Sequence, residues 1–160
     1  MKKRYLMWVV LLLLLSGCSA PEDFETMADE YMMPQEIPAQ QTNMLLDREA
    51  VSFGWESGTD RIYLCDDFCV MVQTFVSGDL DKTIRNITGY QKENLTVMER
   101  KSEGISSYEC VWASAGEGGD QVGRMLILDD GNYHYCMSVL RDAGDTQVVW
   151  RDVFGSFAIL

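Results

Sequence analysis

Residues 125–140, MLILDDGNYHYCMSVL, join two apolar runs through Asp130 and Gly131, a dipeptide that turns one strand back on another. With Asp129 opposite Asn132, Leu128 pairs with Tyr133 and Leu126 with Tyr135 on one face; Ile127 pairs with His134 and Met125 with Cys136 on the other. Neighbouring strand residues point to opposite faces, so a hairpin apolar on both must be covered on both. This requirement constrains the rest of the chain more than any other feature. The segments around the hairpin must supply a layer above the sheet and a layer below it.

The flanking sequence contains both. Ala50 to Glu56, Arg61 to Cys65 and Phe68 to Val76 read as strands rich in aromatic and β-branched residues, with Gly58 and Asp66-Asp67 at the turns. The period then changes to helical. Leu80, Ile84 and Ile87 recur on one stripe, Ser77 or Asp79 can cap the start, and Gly89 stands where a left-handed residue ends a helix. Leu95 to Arg100, Tyr108 to Ala115, Gly123 to Asp129 and Asn132 to Leu140 follow as an antiparallel meander. Thr146 to Phe157 supplies the second cover, with Val149, Trp150, Val153, Phe154 and Phe157 on one stripe. The expected fold class is α+β, an antiparallel sheet flanked by helices.

The first 42 residues have a different character. Lys2, Lys3 and Arg4 precede an eleven-residue apolar run from Tyr5 to Leu15, and Ser16, Gly17 and Cys18 follow at once. Charged, greasy, then small is the order of an export signal, and a bilayer span needs roughly 20 apolar residues. The tetrad Leu15-Ser16-Gly17-Cys18 resembles the bacterial lipobox. That resemblance implies cleavage between Gly17 and Cys18 and lipidation of the Cys18 thiol. Two or more acyl chains hold a protein stably at a membrane where one holds marginally. An ordinary cleaved signal with an incidental cysteine is the plainer alternative.

From Ser19 to Thr42 lie all three prolines of the protein, six acids and no Lys or Arg, which reads as an acidic tether. Within it Phe24, Met27, Ala28 and Tyr31 fall on one helical stripe, so a short docked helix competes with a solvated linker. The expected organisation is residues 1–17 signal, 18–42 tether and 43–160 globular domain. Loss of the three leading cations would take the net charge from −12 to −15. A surface so acidic repels phosphate backbones, so nucleic acid is not an expected partner.

The order of strands, the helix opened by SGDLDKTIRNITGY, the meander carrying SYECVWASAGEGG and NYHYCMSVL, and the closing WRDVFGSF together resemble the PsbP-like α/β/α sandwich of small bacterial lipoproteins akin to DcrB. The resemblance spans roughly residues 43–160. It implies a binding or accessory module and carries no catalytic motif onto this chain.

The residues that could bear chemistry each have a plainer role. Cys65 and Cys69 flank a tight turn and are a candidate disulfide, whereas Cys110 and Cys136 lie two strands apart, about 9.5 Å, beyond the reach of a bridge. Four thiols without a second close pair do not make a zinc site, and small buried hydrophobes are the plainer reading. His134 is the only histidine and reads as a packed strand residue rather than a base. Asp66, Asp67, Asp129 and Asp130 suit turns better than a cation site. Gly116, Glu117, Gly118, Gly119 and Asp120 form a candidate contact loop running on to Gly123, without the Lys and Ser/Thr of a phosphate cradle. The sequons at Asn86 and Asn94 carry no meaning behind a bacterial lipobox.

The expected function is a membrane-anchored, extracytoplasmic, non-enzymatic module binding an envelope protein or a glycan, with no cofactor and no metal. Two alternatives are a carboxylate acid/base hydrolase, which needs two carboxylates about 5 to 9.5 Å apart in a cleft, and a solute-binding lipoprotein with a pocket lined by Trp55, Trp112 or Trp150. Core packing is the plainer role for the tryptophans.

Overall fold

A computed structural model describes residues 36–66, 68–116, 119–142 and 149–160. Gly17 and Cys18 of the expected lipobox, the stripe from Phe24 to Tyr31, and Asp67, Glu117 and Gly118 lie outside the described residues. A compact unit runs from Ile37 to Leu160, beginning six residues before the expected boundary at 43. No helix among the described residues is long and apolar enough to cross a membrane.

The early start has a structural cause. Tyr133 donates its hydroxyl hydrogen bond to the Ile37 carbonyl (2.7 Å), and the Gln40 amide donates to the Tyr135 hydroxyl (2.9 Å). Thr42–Asn43 (β1) then pairs with Ala158–Ile159 (β9), so the entering strap and the end of the chain form a small two-stranded sheet.

The main sheet is a seven-stranded antiparallel one. In chain order its strands are β2 (Val51–Ser57), β3 (Asp60–Cys65), β4 (Phe68–Val76), β5 (Met98–Ser102), β6 (Ile105–Gly116), β7 (Gly119–Asp129) and β8 (Tyr133–Asp142). In space they run β2-β3-β4-β8-β7-β6-β5. A hairpin block and the expected meander thus meet along β4 and β8, registered from Phe68 with Arg141 to Val76 with Tyr133. The fold is a sheet-dominated α+β one.

Helix α1 (Leu80–Thr88) carries the chain from β4 to the opposite edge at β5. Asp79 caps it, accepting from Lys82 N at 2.8 Å. Gly89, at φ +77°, closes it in the left-handed region, where a side chain is strained. Ser77, the other candidate cap, is used elsewhere.

Alternation along β8 separates two cores. Tyr135, Met137 and Val139 pack with Val70, Val72 and, from α2 (Val149–Ser156), Val153 and Phe154, joined by Phe157 just beyond the helix. Cys136 packs with Cys110, Trp112, Met125, Ile127 and, from α1, Ile84. One helix lies on each face, as two-sided apolarity requires. Ile84 is fully buried, and burial of such a side chain contributes about 1.5–3 kcal/mol.

The hairpin register differs from expectation. Asp129 stands opposite His134, not Asn132, and Leu128 opposite Tyr135. The cause is carboxylate chemistry in the turn. Asp130 Oδ1 accepts from both Asn132 N and Tyr133 N (2.8 Å each), and Asp129 Oδ1 accepts from Gly131 N (2.9 Å), widening the turn to Asp130–Tyr133. A slip of two residues keeps every side chain on its face. The two-core arrangement therefore survives the altered pairing.

The glycine-rich stretch is also shorter as a loop than expected. β6 and β7 pair as far as Gly116 with Gly119, so Gly116, Gly119 and Asp120 are strand residues. Gly123 sits opposite Trp112, and a Cβ there would lie 2.1 Å from the indole ring. Close approach of the ring, not loop mobility, requires that glycine.

Candidate functional site

Strands β5, β6 and β7 extend beyond the cover that α2 gives to its face of the sheet. There a cavity of about 390 Å³ opens, with Leu126 and Leu128 of β7 in its floor and Phe154 and Phe157 along its wall. β5 contributes Met98 and Arg100, and β6 contributes Ser107 and Glu109. Register explains the gathering. Met98 pairs with Glu109, Arg100 with Ser107, and Glu109 with Leu126, so all share one face.

Charge in the groove is unevenly committed. Arg124 Nε donates to Glu109 Oε1 at 2.8 Å and a terminal nitrogen donates to the same oxygen. The Arg124 guanidinium also lies 4.5 Å from the centroid of the Phe154 ring, a favourable cation–π position. Glu109 and Arg124 are diagonal neighbours across β6 and β7 because Arg124 pairs with Val111. Arg100 has no ion-pair partner among the described residues.

His134 presents the other cluster that could bear chemistry. It is 2 % exposed. Its Nδ1 is 2.9 Å from the Thr83 hydroxyl, while its Nε2 is 3.4 Å from Ser77 Oγ and 3.7 Å from Asp129 Oδ2. Ser77 in turn donates to Asp129 Oδ1 at 3.1 Å. A nucleophile–base–orienter relay needs serine on one ring nitrogen and carboxylate on the other. Here both crowd Nε2, and Ser77 spends its proton on Asp129. Burial pushes the His134 pKa down, against the opposing pull of Asp129, Asp130 and Asp79. The imidazole is thus a neutral, hydrogen-bonded core group that ties β8 to α1.

Asp130 is likewise structural. Burial works to raise its pKa, but hydrogen bonds from Tyr133 N, Asn132 N, the Tyr135 hydroxyl and Gln40 outweigh it and hold the carboxyl below its usual range. The carboxylate fastens the strap to the β7–β8 turn.

Cys65, Cys69, Cys110 and Cys136 are free thiols. The candidate bridge between Cys65 and Cys69 is not formed in this structure: Leu64, not Cys65, stands opposite Cys69, which turns the two cysteines to different faces. Burial raises the thiol pKa of Cys65 and of Cys69. It raises Cys110 to about 11 and Cys136 further, so none is a ready thiolate at neutral pH. No group of three potential metal ligands occurs among the described residues.

Sequence reasoning missed the groove. A partial signal was present: Glu109 and Arg124 set opposite charges between apolar residues, Val111 on β6 and Val122, Leu126 and Leu128 on β7, on the same faces. Of the tryptophans, for which core packing was the plainer reading and a pocket the alternative, Trp112 is core and Trp55 is exposed on β2, and the Trp150 side chain lies outside the described residues. A second cavity, about 400 Å³ and lined by Met44, Leu46, Arg48, Val51, Glu56 and Tyr63 among others, lies near β2. Among the described residues one carboxylate lines each of the two cavities, Glu109 or Glu56. In comparisons with known proteins, the chain matches no family model, no curated protein and no solved structure.

Proposed function

We propose that this chain is a bacterial, lipid-anchored, extracytoplasmic binding module with a PsbP-like fold, which engages an envelope component through the groove beside α2. The observation that carries the reading is that groove, where Arg100, Ser107, Glu109 and Arg124 converge beside Leu126 and Leu128, in a cavity of a size within the range of ligand pockets. Support for the anchor comes from the charged, apolar and small segments that end at Cys18. Support for the PsbP-like assignment comes from the antiparallel sheet with one helix on each face. The partner is an envelope protein or a glycan, and the acidic body disfavours nucleic acid.

A carboxylate hydrolase is the weaker reading, because Glu109 is held by Arg124 and Glu56 accepts from the Tyr63 hydroxyl, with no second acid facing either across its cavity among the described residues. The test is chemical cross-linking in native membranes, with Ser107→Trp filling the groove and Cys18→Ala removing the thiol. The reading predicts acyl groups on Cys18 by intact mass and a partner lost on Ser107→Trp. Purified protein that turns over a glycan polymer, or mature chains that retain residues 1–17, would overturn it.

A further inference from the structure

The two edges of the main sheet are finished differently. At one edge β5 carries Glu99, Arg100 and Lys101 in succession, charges that discourage another strand from pairing there. At the other edge β2 has one ionisable side chain, Glu56, and its residues from Ser52 to Ser57 are exposed. Phe53 and Trp55, 54 % and 45 % exposed, stand opposite Leu64 and Ile62 of β3 and share their face. Register through Met71 of β4 to Ser138 of β8 makes this the α1 face, yet the core beneath α1 lies over β6 to β8. On the opposite face the Tyr63 ring lies against Gly54, where a Cβ would come within 3.3 Å of it, and the Tyr63 hydroxyl donates to Glu56. Among the described residues this edge is braced on one face and uncovered on the other.

The hairpin turn decides which backbone groups reach outward. Ser57 stands opposite Asp60 across the turn Gly58-Thr59, and a hairpin of this length bonds that pair and every second pair beyond it. Gly54 and Glu56 fall between the bonded pairs, so their N–H and C=O groups point to the open edge. The regular edge ends at Phe53, where the register shifts. Around Gly54 the strand reads aromatic, glycine, aromatic, so it complements itself, as a two-fold interface requires. We infer that β2 joins two copies of this chain: the strands run antiparallel with Gly54 of each copy at the two-fold axis, and Phe53 of one copy lies beside Trp55 of the other. Glu56 then meets Ser52 of the second copy, so no like charges oppose each other across the strands. Each aromatic ring has about 150–250 Å² at stake when fully buried, so four half-exposed rings and two strand backbones cover less than the roughly 1,600 Å² of a standard interface. The association is therefore weak and reversible. It uses a surface separate from the groove and does not depend on what the groove binds.

The experiment mixes equal amounts of the purified full chain at natural isotope abundance and with heavy nitrogen, in a mild non-ionic detergent, each with photoreactive benzoylphenylalanine in place of Phe53. After irradiation, mass spectrometry should find light chains joined to heavy ones, with the link on the peptide holding Trp55. The same photoreactive residue in place of Lys101, on the β5 edge, should join none. In sedimentation equilibrium of the unmodified chain, Trp55→Lys should raise the dimer dissociation constant about tenfold or more, through loss of two aromatic pairs, and Trp55→Phe should recover part of it. Because Trp55 is exposed, Trp55→Lys should keep the thermal transition of the parent. Absence of light-to-heavy links, which would leave the edge to a strand of another protein, would overturn the inference. So would equal linking from the two positions, or an unchanged dissociation constant in Trp55→Lys.

Discussion

The two faces of the central sheet are built from the same strands yet are finished differently. Over β6, β7 and β8 the α1 face is closed: Ile84, Met125 and Ile127 are fully buried, and its histidine is neutral and hydrogen-bonded to Thr83. Over β5 to β7 the α2 face is left partly open, and there the inward positions carry Arg100, Glu109 and Arg124. Buried charge is costly unless paired, so charged residues facing inward belong where water or a ligand has access. Both faces hold the fold together, since the α2 face has its own buried core from Val70 to Phe157, but it is that face which leaves these charged side chains accessible, at its β5–β7 end.

The largest test of the closed face is Ile84→Ala. Removing a fully buried side chain should cost about 2–5 kcal/mol in urea unfolding. Met98→Ala, at an exposed position of the groove, should stay within about 0.5 kcal/mol. Comparable losses at the two positions would break the contrast.

Gly123→Ala should be next. Its Cβ would lie 2.1 Å from the Trp112 ring, and overpacking of this kind costs about 1–3 kcal/mol. Intrinsic tryptophan fluorescence should report the displaced ring alongside the loss of thermal stability.

Both core faces were legible before the structure, because parity along β7 and β8 depends only on alternation. The pairing partners were not. The register turned on Asp129 and Asp130 accepting backbone amides within the turn, which a dipeptide signature does not specify. Gly123 read both as the end of a loop and as the start of a strand, and its contact was not legible because the indole it admits arrives from β6, eleven residues earlier in sequence. The groove was hidden because it depends on where α2 ends relative to β5, a matter of packing across the sheet. Glu109 and Arg124, opposite charges next to Val111 and Leu126 on the same strand faces, were its local mark.

A smaller effect distinguishes the faces by charge. Glu109→Gln removes the partner of a half-buried Arg124, and chemical denaturation should register about 0.5–1 kcal/mol, limited by solvent screening. Added salt should narrow the difference from the parent.

The pH dependence sharpens the same comparison. Burial lowers the His134 pKa in the folded state, so the unfolded chain binds its proton first as pH falls. The stability due to neutral His134 is therefore complete above about pH 6.5 and declines below it toward the folded pKa. His134→Gln should flatten the stability profile below pH 6.5, whereas Arg100→Gln should leave its shape unchanged.

The central claim is that one face of β7 is sealed and the other is accessible from solvent. Methyl NMR during titration of a soluble lanthanide shift reagent tests it directly, since successive residues of this strand point to opposite sides. The account predicts shifts at Leu126 and Leu128 with Met125 and Ile127 unmoved. Equal movement of all four, or movement confined to Met125 and Ile127, would contradict it.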